Sequence, residues 1–288
     1  MQRDHGDRKN RKHARLKYTI DDMGVDVFRS KVEESWGEKF AEERPFHFDS
    51  NVDSFGWHKD ETGKWHFTMF IENGRIEDTA DFPMKTGLRE IAKVHKGDFT
   101  LTPNQHLILS NVHEDQLQEM KDMLKKYKLD NTDFSGLRLS SSACVAFPTC
   151  GLAMAESERY LPVMVTKVEK ILEENGLRQD SIVMRMTGCP NGCARPWLAE
   201  IAFVGKAFAA YNLYLGGGYH GQRINKLYRS SVKEEEILEI LKPMIKAYAA
   251  DRNEGERFGD FVIRAGYIKP TTEGKTFHED TAEVEEED

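Results

Sequence analysis

The chain has 288 residues, 39% of them hydrophobic and 10% aromatic, and carries a net charge of −8. That length suits one large or two ordinary domains, and the apolar share is enough for a packed core of a soluble, globular kind. No apolar run approaches the roughly eighteen residues of a membrane span, and Met1–His13 lacks the apolar centre of a secretory signal, so the expected compartment is the cytoplasm.

The charge is unevenly spread. Seven Lys or Arg fall in the first seventeen residues, and Arg8, Lys9, Arg11, Lys12, Arg15 and Lys17 are interleaved with so few apolar residues that they need an anion or solvent rather than a core. Nucleic acid is a poor fit, because no stacking aromatics punctuate the basic arm and the remainder of the chain is acidic. The far end, Glu283–Asp288, reads as a solvated acidic tail.

In chain order, a helix is expected from Val25 to Ser35, and a small α/β unit from about 45 to 130. Trp65–Ile71 alternates as a strand, and Asn73-Gly74 predicts a two-residue hairpin turn with a returning strand from Arg75. Thr86 is placed to cap a helix that ends at Gly97 and presents Leu88, Ile91, Ala92 and His95 on one face. Strands at 99–101 and 106–109 and a helix at 114–127 follow. Beyond the linker-like Asp130–Gly136, a helix is expected over 154–175, its stripe of Leu161, Met164, Val168 and Ile171 serving the core and its end marked by Gly176. Short strands at 182–187, 199–204 and 211–215, a Gly216–Gly218 run and a helix over 233–250 complete the pattern. The fold class is mixed α/β, or α+β.

Four cysteines carry the chemistry. They fall as Cys144-x5-Cys150 and, thirty-eight residues later, Cys189-x3-Cys193 within Thr187-Gly-Cys-Pro-Asn-Gly-Cys193. Two disulfides are possible in principle, but a secreted scaffold is usually shorter and richer in cysteine. Five residues between Cys144 and Cys150 exceed the usual zinc-knuckle spacing and suit a loop draped over a larger object. If Pro190 opens a helix, Cys189 and Cys193 lie on one face, and Gly188 and Gly192 leave room for a bulky inorganic group. Four thiolates saturate one 4Fe–4S cluster, whereas simple buried cysteines would not cluster in two pairs. A plain ferredoxin is smaller and uses tighter spacing, so a second cofactor or a substrate site is expected beside the cluster.

The cysteine pattern closely resembles that of the sirohaem and 4Fe–4S sulfite and nitrite reductases, above all the haemoprotein (beta) subunits of the assimilatory NADPH-dependent sulfite reductases. Arg3-Asp-His-Gly-Asp-Arg8, Asn10–Tyr18, Phe70–Arg75 and Phe258-Gly-Asp-Phe261 share the likeness, which runs to about residue 270. The resemblance implies a basic segment and helix over 1–40, remnant of a preceding sirohaem-binding domain, a ferredoxin-like half-domain over 41–132 and a sirohaem and 4Fe–4S domain over 133–275. Residues 276–288 are left as an acidic disordered tail. Only the second half of such a polypeptide is matched, so the chain is expected to be a fragment with poor or no sulfite turnover by itself.

The resemblance further implies that Cys144, Cys150, Cys189 and Cys193 ligate the cluster and that Cys193 is also the axial ligand of sirohaem. Arg15 and Lys17, alternating on an extended segment, would hold sulfite, with Lys17 the proton donor and Arg15 a bidentate grip. Asn191, Asn104, Gln105 and Gly217 match places that approach the macrocycle. His5, His13, His95 and His220 are surface or capping residues on this reading, since Cys193 supplies the axial bond. The implied reaction is six-electron reduction of sulfite to sulfide, feeding cysteine biosynthesis. Electrons would come from NADPH through a flavoprotein (alpha) partner, because no Gly-x-Gly-x-x-Gly fingerprint follows a strand here. A nitrite reductase, or a non-catalytic iron–sulfur carrier or redox sensor, are the alternatives, with a zinc-stabilised binding module a more distant one.

Overall fold

The computed structural model describes residues 1–48, 50–274 and 276–279 and falls into two units, Met1–His47 and the chain from Phe48 onward. The first unit contains α1 (Gln2–His5), α2 (Leu16–Met23) and α3 (Val25–Trp36), the last matching the helix expected there. The extended segment expected for Arg15 and Lys17 is corrected, because Lys17 is the second residue of α2. Leu16, Thr19, Ile20 and Met23 recur at helical spacing, so one face of the segment is apolar enough to wind it. Gly24, at φ 78°, stops it.

The second unit holds two sheets. The first is antiparallel, in the order β1 (Gly56–Lys59), β2 (Trp65–Met69), β4 (Leu107–Val112), β3 (Asp98–Leu101). Alternate residues Phe67, Met69, Leu107 and Leu109 form one core with Leu88 and Ile91 of α4 (Met84–Val94) and Met120 and Leu124 of α5 (Leu117–Lys126). Here the Asn73-Gly74 hairpin is corrected. Both residues take left-handed φ, 50° and 73°, as a two-residue turn requires, but they close a single 3-10 turn at Glu72–Gly74. The returning strand is lost because Arg75 pairs with Glu158, and Asn73 Nδ2 donates to the Glu158 carbonyl at 3.0 Å. The hairpin of β2 is made with β1 instead, across a turn in which Asp60 Oδ1 accepts from the N–H groups of Thr62 and Lys64 at 2.9 and 3.0 Å. Thr86 is likewise not the cap of α4. Its N–H and hydroxyl donate to Asp78 at 2.9 and 2.7 Å, so Asp78 caps the helix from outside, and the helix stops at Val94.

The second sheet runs β5 (Ser142–Ala143), β6 (Met184–Thr187), β7 (Ile201–Ala207), β8 (Ala210–Leu215), β9 (Lys226–Val232), with β5, β6 and β7 parallel and the rest antiparallel. Met184, Met186, Phe203 and Leu213 share a core with α7 (Leu161–Glu174), α8 (Glu234–Asp251) and α9 (Phe258–Arg264). α7 begins at Leu161 rather than 154, with Pro162 in its first turn, because Met154 and Ala155 are occupied by hydrogen bonds to Gly188. Pro190 opens no helix. Gly192 and Arg195, at φ 67° and 55°, keep the segment in turns until a 3-10 turn at Pro196–Leu198. The tail expected from 276 is corrected at its start, because the Leu227 N–H donates to the Phe277 carbonyl and Tyr214 Oη meets His278 Nδ1, both at 2.8 Å. Glu283–Asp288 lie outside the described residues. Among the described residues no helix is long and apolar enough to cross a membrane.

Candidate cluster site

Parallel pairing of β5 with β6 brings the two cysteine loops together. Ala143 is in register with Met186, so Cys144 leaves the end of β5 beside the end of β6, from which Gly188 and Cys189 emerge. The Cys144 N–H donates to the Met186 carbonyl at 3.2 Å, and the Gly188 N–H points at the Cys144 sulfur at 3.3 Å. Ligand sites of open α/β sheets lie in this position, beyond the carboxyl ends of parallel strands.

The first loop then folds back over the second. The Met154 and Ala155 N–H groups both donate to the Gly188 carbonyl, at 2.7 and 3.1 Å, and the Cys150 N–H donates to Ala146 at 2.7 Å. Gly188 is fixed by this closeness, since a Cβ there would lie 2.6 Å from the Ala146 Cβ and 2.7 Å from the Ala155 oxygen. Gly192 is fixed twice, by its positive φ and by the Trp197 ring, 2.1 Å from where its Cβ would stand. The glycines thus serve close protein packing, since protein atoms occupy the space a Cβ would take at both positions.

All four cysteines are free thiols in the structure. Cys189 is buried, Cys144 and Cys150 are half-buried, and Cys193 is exposed. Among the described residues no three His, Cys, Asp or Glu side chains converge as they would on one metal ion. Soft thiols are the donors that iron–sulfur clusters take, and the corners of a cluster are spread more widely than the ligand shell of one ion.

The expected macrocycle contacts have other partners. Gln105 Nε2 donates to the Ala143 carbonyl at 2.9 Å and its Oε1 accepts from the Ala143 N–H at 3.3 Å, so the side chain extends the edge of β5 like a short strand. Asn104 Nδ2 donates to Asp53 at 3.0 Å, and its oxygen lies 3.4 Å from Arg195 Nη2, which also donates to the Pro103 carbonyl at 2.9 Å. These bonds tie the first sheet to the cysteine loops. Gly217 packs against the Ala199 carbonyl, 2.1 Å from its would-be Cβ, a steric reason for glycine that needs no cofactor. Asn191 is exposed in the turn between Cys189 and Cys193.

In the first unit Arg15 and Lys17 are exposed; Arg15 has extended backbone just before α2, and Lys17 Nζ lies 4.9 Å from the Tyr18 ring centroid. His5 is exposed and His13 stacks on Tyr18, with ring centroids 4.7 Å apart. His95 Nε2 lies 3.0 Å from the Ser110 carbonyl, a bracing role, and the His220 ring packs edge-on against Tyr219.

Three residues around the cysteines escape sequence reasoning. Arg185, on β6, is buried, and burial together with the nearby Arg195 charge holds it down to about 10. Arg195 itself links the two sheets. Glu200 is fully buried and accepts from the Val183 and Gly259 N–H groups, both at 2.9 Å, fastening the start of α9 beneath the sheet. Burial pushes its carboxyl up to about 7 against those two hydrogen bonds. No local pattern announces any of them, because each is defined by partners distant in sequence.

Residues 1–40 and 138–270 match the family profile described as nitrite and sulphite reductase 4Fe-4S domain, and residues 58–127 match the nitrite/sulfite reductase ferredoxin-like half domain. The chain is 67% identical over 287 residues to sulfite reductase (NADPH) subunit beta of Saccharomyces cerevisiae, covering 98% of this chain and 20% of that protein. It is 55% identical over 280 residues to the sulfite reductase (NADPH) hemoprotein beta-component of Anoxybacillus flavithermus, covering 97% and 49% respectively. Among solved structures, the Mycobacterium tuberculosis NirA protein superposes with a TM-score of 0.76 at 25% identity, over 92% of this chain and 50% of that one. The chain therefore spans half or less of the length of these relatives.

Proposed function

The chain belongs to the nitrite and sulphite reductase 4Fe-4S domain family, and from this we propose that it is the cluster-bearing part of a sulfite reductase haemoprotein. Cys144, Cys150, Cys189 and Cys193 would hold a 4Fe–4S cluster, and Cys193 would also be the axial ligand of sirohaem. The observation that carries this reading is the pairing of β5 with β6, which sets Cys144 and Cys189 on adjoining strand ends. The exposure of Cys193 beside a buried Cys189 supports the axial assignment, because a bridging sulfur needs a side open to a second group.

When bound, the two cofactors would relay to sulfite, from NADPH as the outside donor, the six electrons that take it to sulfide. The protein's part is to hold the thiolates, shield them with the Ala146–Ala155 loop, and provide cations and protons for the substrate. Lys17 would donate protons from its ammonium, and Arg15 would grip the anion's oxygens with its planar guanidinium. Both side chains are exposed, as these roles require. Sulfite is favoured over nitrite because the yeast and bacterial relatives carry the name sulfite reductase. Their designation as beta components supports a hetero-oligomer whose flavoprotein subunit delivers electrons from NADPH.

An absorption spectrum of anaerobically purified protein tests the assignment. Sirohaem bands together with cluster absorbance are expected. Cluster absorbance alone would favour an electron carrier, and a colourless protein would reject both.

A further inference from the structure

We propose that Arg185 sets the reduction potential of the cluster, its buried positive charge beneath the Cys189–Cys193 turn favouring the reduced form. The inference rests on the cluster assignment above and adds to it a residue outside the cysteine motif.

Strand alternation explains how the charge comes to be there. Met184 and Met186 of β6 face the main core, so Arg185 and Thr187 face the opposite side of the sheet, where Val183, Ala199, Ala202, Val204 and Tyr214 form a separate apolar cluster. A leucine would suit such a place, and a guanidinium there is costly unless something compensates it.

Nothing among the described residues does. Arg185 is only 4% exposed, and among the described residues its buried Nε has no hydrogen-bond partner and its one hydrogen bond runs from Nη1 to the Arg195 carbonyl at 3.2 Å. It takes part in no ion pair among the described residues. Other partly buried arginines contrast with it, since Arg138 pairs with Glu169, Arg75 with Glu158, Arg223 with Asp260 and Arg252 with Asp180. Two further buried polar atoms near the turn also lack partners, Thr187 Oγ1 and Trp197 Nε1. Thr187 stands two residues before Cys189, and the Trp197 ring lies against Gly192.

The hydrogen bond to the Arg195 carbonyl fixes where the charge sits. Arg195 is two residues beyond Cys193, and its N–H closes a turn on the Gly192 carbonyl at 2.8 Å. Two residues reach at most about 7 Å, which places the guanidinium on the order of 10 Å from the Cys193 sulfur. A cluster held by four thiolates is anionic and becomes more so by one unit when it accepts an electron, so a fixed cation at this depth stabilises the reduced state. Burial keeps salt from screening it.

The test is a redox titration of the protein with its cluster in place, followed by the EPR signal of the reduced cluster. Arg185→Gln is expected to shift the reduced-to-oxidised ratio at a given potential roughly tenfold toward oxidised, equivalent to about 59 mV lower for a one-electron couple. Arg185→Lys is expected to recover most of the shift. Arg185→Met, which keeps the apolar stem and removes only the charge, gives the same reading if the glutamine variant does not fold. An unchanged potential in a variant that retains its cluster overturns the inference, as does an equal drop in the Lys and Gln variants. Failure of the unmodified protein to show any reduced-cluster signal overturns the cluster assignment itself.

Discussion

The Gly188 N–H points at the Cys144 sulfur across 3.3 Å, joining the two cysteine loops directly. This hydrogen bond exists because β5 and β6 are parallel neighbours, and it adds a direct tie at a glycine already hemmed in by Ala146 and Ala155.

Gly188→Ala is therefore expected to destabilise the fold by about 1–3 kcal/mol through overpacking and to lower cluster occupancy. The new Cβ would stand 2.6 Å from Ala146 and 2.7 Å from the Ala155 oxygen, and backbone cannot swing aside as a long side chain can. Urea denaturation and iron content of the variant check both effects. Normal stability with full iron would show that the loops have slack.

Gln105→Ala is expected to loosen the edge strand selectively. It removes the two bonds to Ala143, at 2.9 and 3.3 Å, and leaves one backbone donor and one acceptor unpaired at a cost of about 1–3 kcal/mol. Hydrogen exchange should quicken at Ala143 and Cys144 while β7 and β8 keep their protection. Uniform loss across the sheet would contradict a local role.

Glu200 gives a pH dependence of definite sign. Its folded value, about 7, lies above the ordinary 4.5, so its stabilisation is fully present below about 4.5 and is lost as pH rises through about 7. The change is at most about 3 kcal/mol. Other carboxylates, held low by their partners, act in the opposite direction, so the contribution is read as the difference between the unmodified chain and Glu200→Gln in unfolding free energy across this range. The variant should be less stable below pH 4.5, because its amide turns a donor toward one of two backbone N–H groups, and the gap should shrink as pH rises. A constant gap would contradict the assignment.

For the proposed chemistry, Lys17→Met is expected to leave the cofactor spectra unchanged and, with the preceding half of the polypeptide supplied, to slow sulfite turnover by about 10²- to 10⁴-fold, the usual weight of a positioned proton donor. Cys193→Ser should disturb both the cluster and any bound sirohaem. Steady-state rates and absorption spectra separate the two variants. Unaltered haem bands in Cys193→Ser would remove the axial assignment.

The site was readable from the sequence to the extent that it is local. Cys189 and Cys193 lie in one short run with two glycines, and the spacing of Cys144 and Cys150 was enough to argue against a zinc knuckle. α3 and α8 were legible because apolar periodicity and the flanking residues agree. The Asn73-Gly74 turn shows the limit. Both residues adopt the backbone that a hairpin needs, yet Glu158, more than eighty residues away, captures Arg75 and Asn73 and the strand never returns. Position 15–17 fails in another way, because a dense basic pattern concealed the helical spacing of Leu16, Thr19, Ile20 and Met23. Arg185 was invisible for a third reason, since only the sheet shows that it points away from the main core and meets no carboxylate among the described residues.

The ligation of one 4Fe–4S cluster by these four cysteines is tested most directly by the EPR spectrum of the anaerobically reconstituted, dithionite-reduced chain. The expected result is the signal of one reduced 4Fe–4S cluster per chain, lost in Cys144→Ser, Cys150→Ser and Cys189→Ser. A full-strength signal in Cys189→Ser, or stoichiometric zinc in place of iron with no signal, would contradict it.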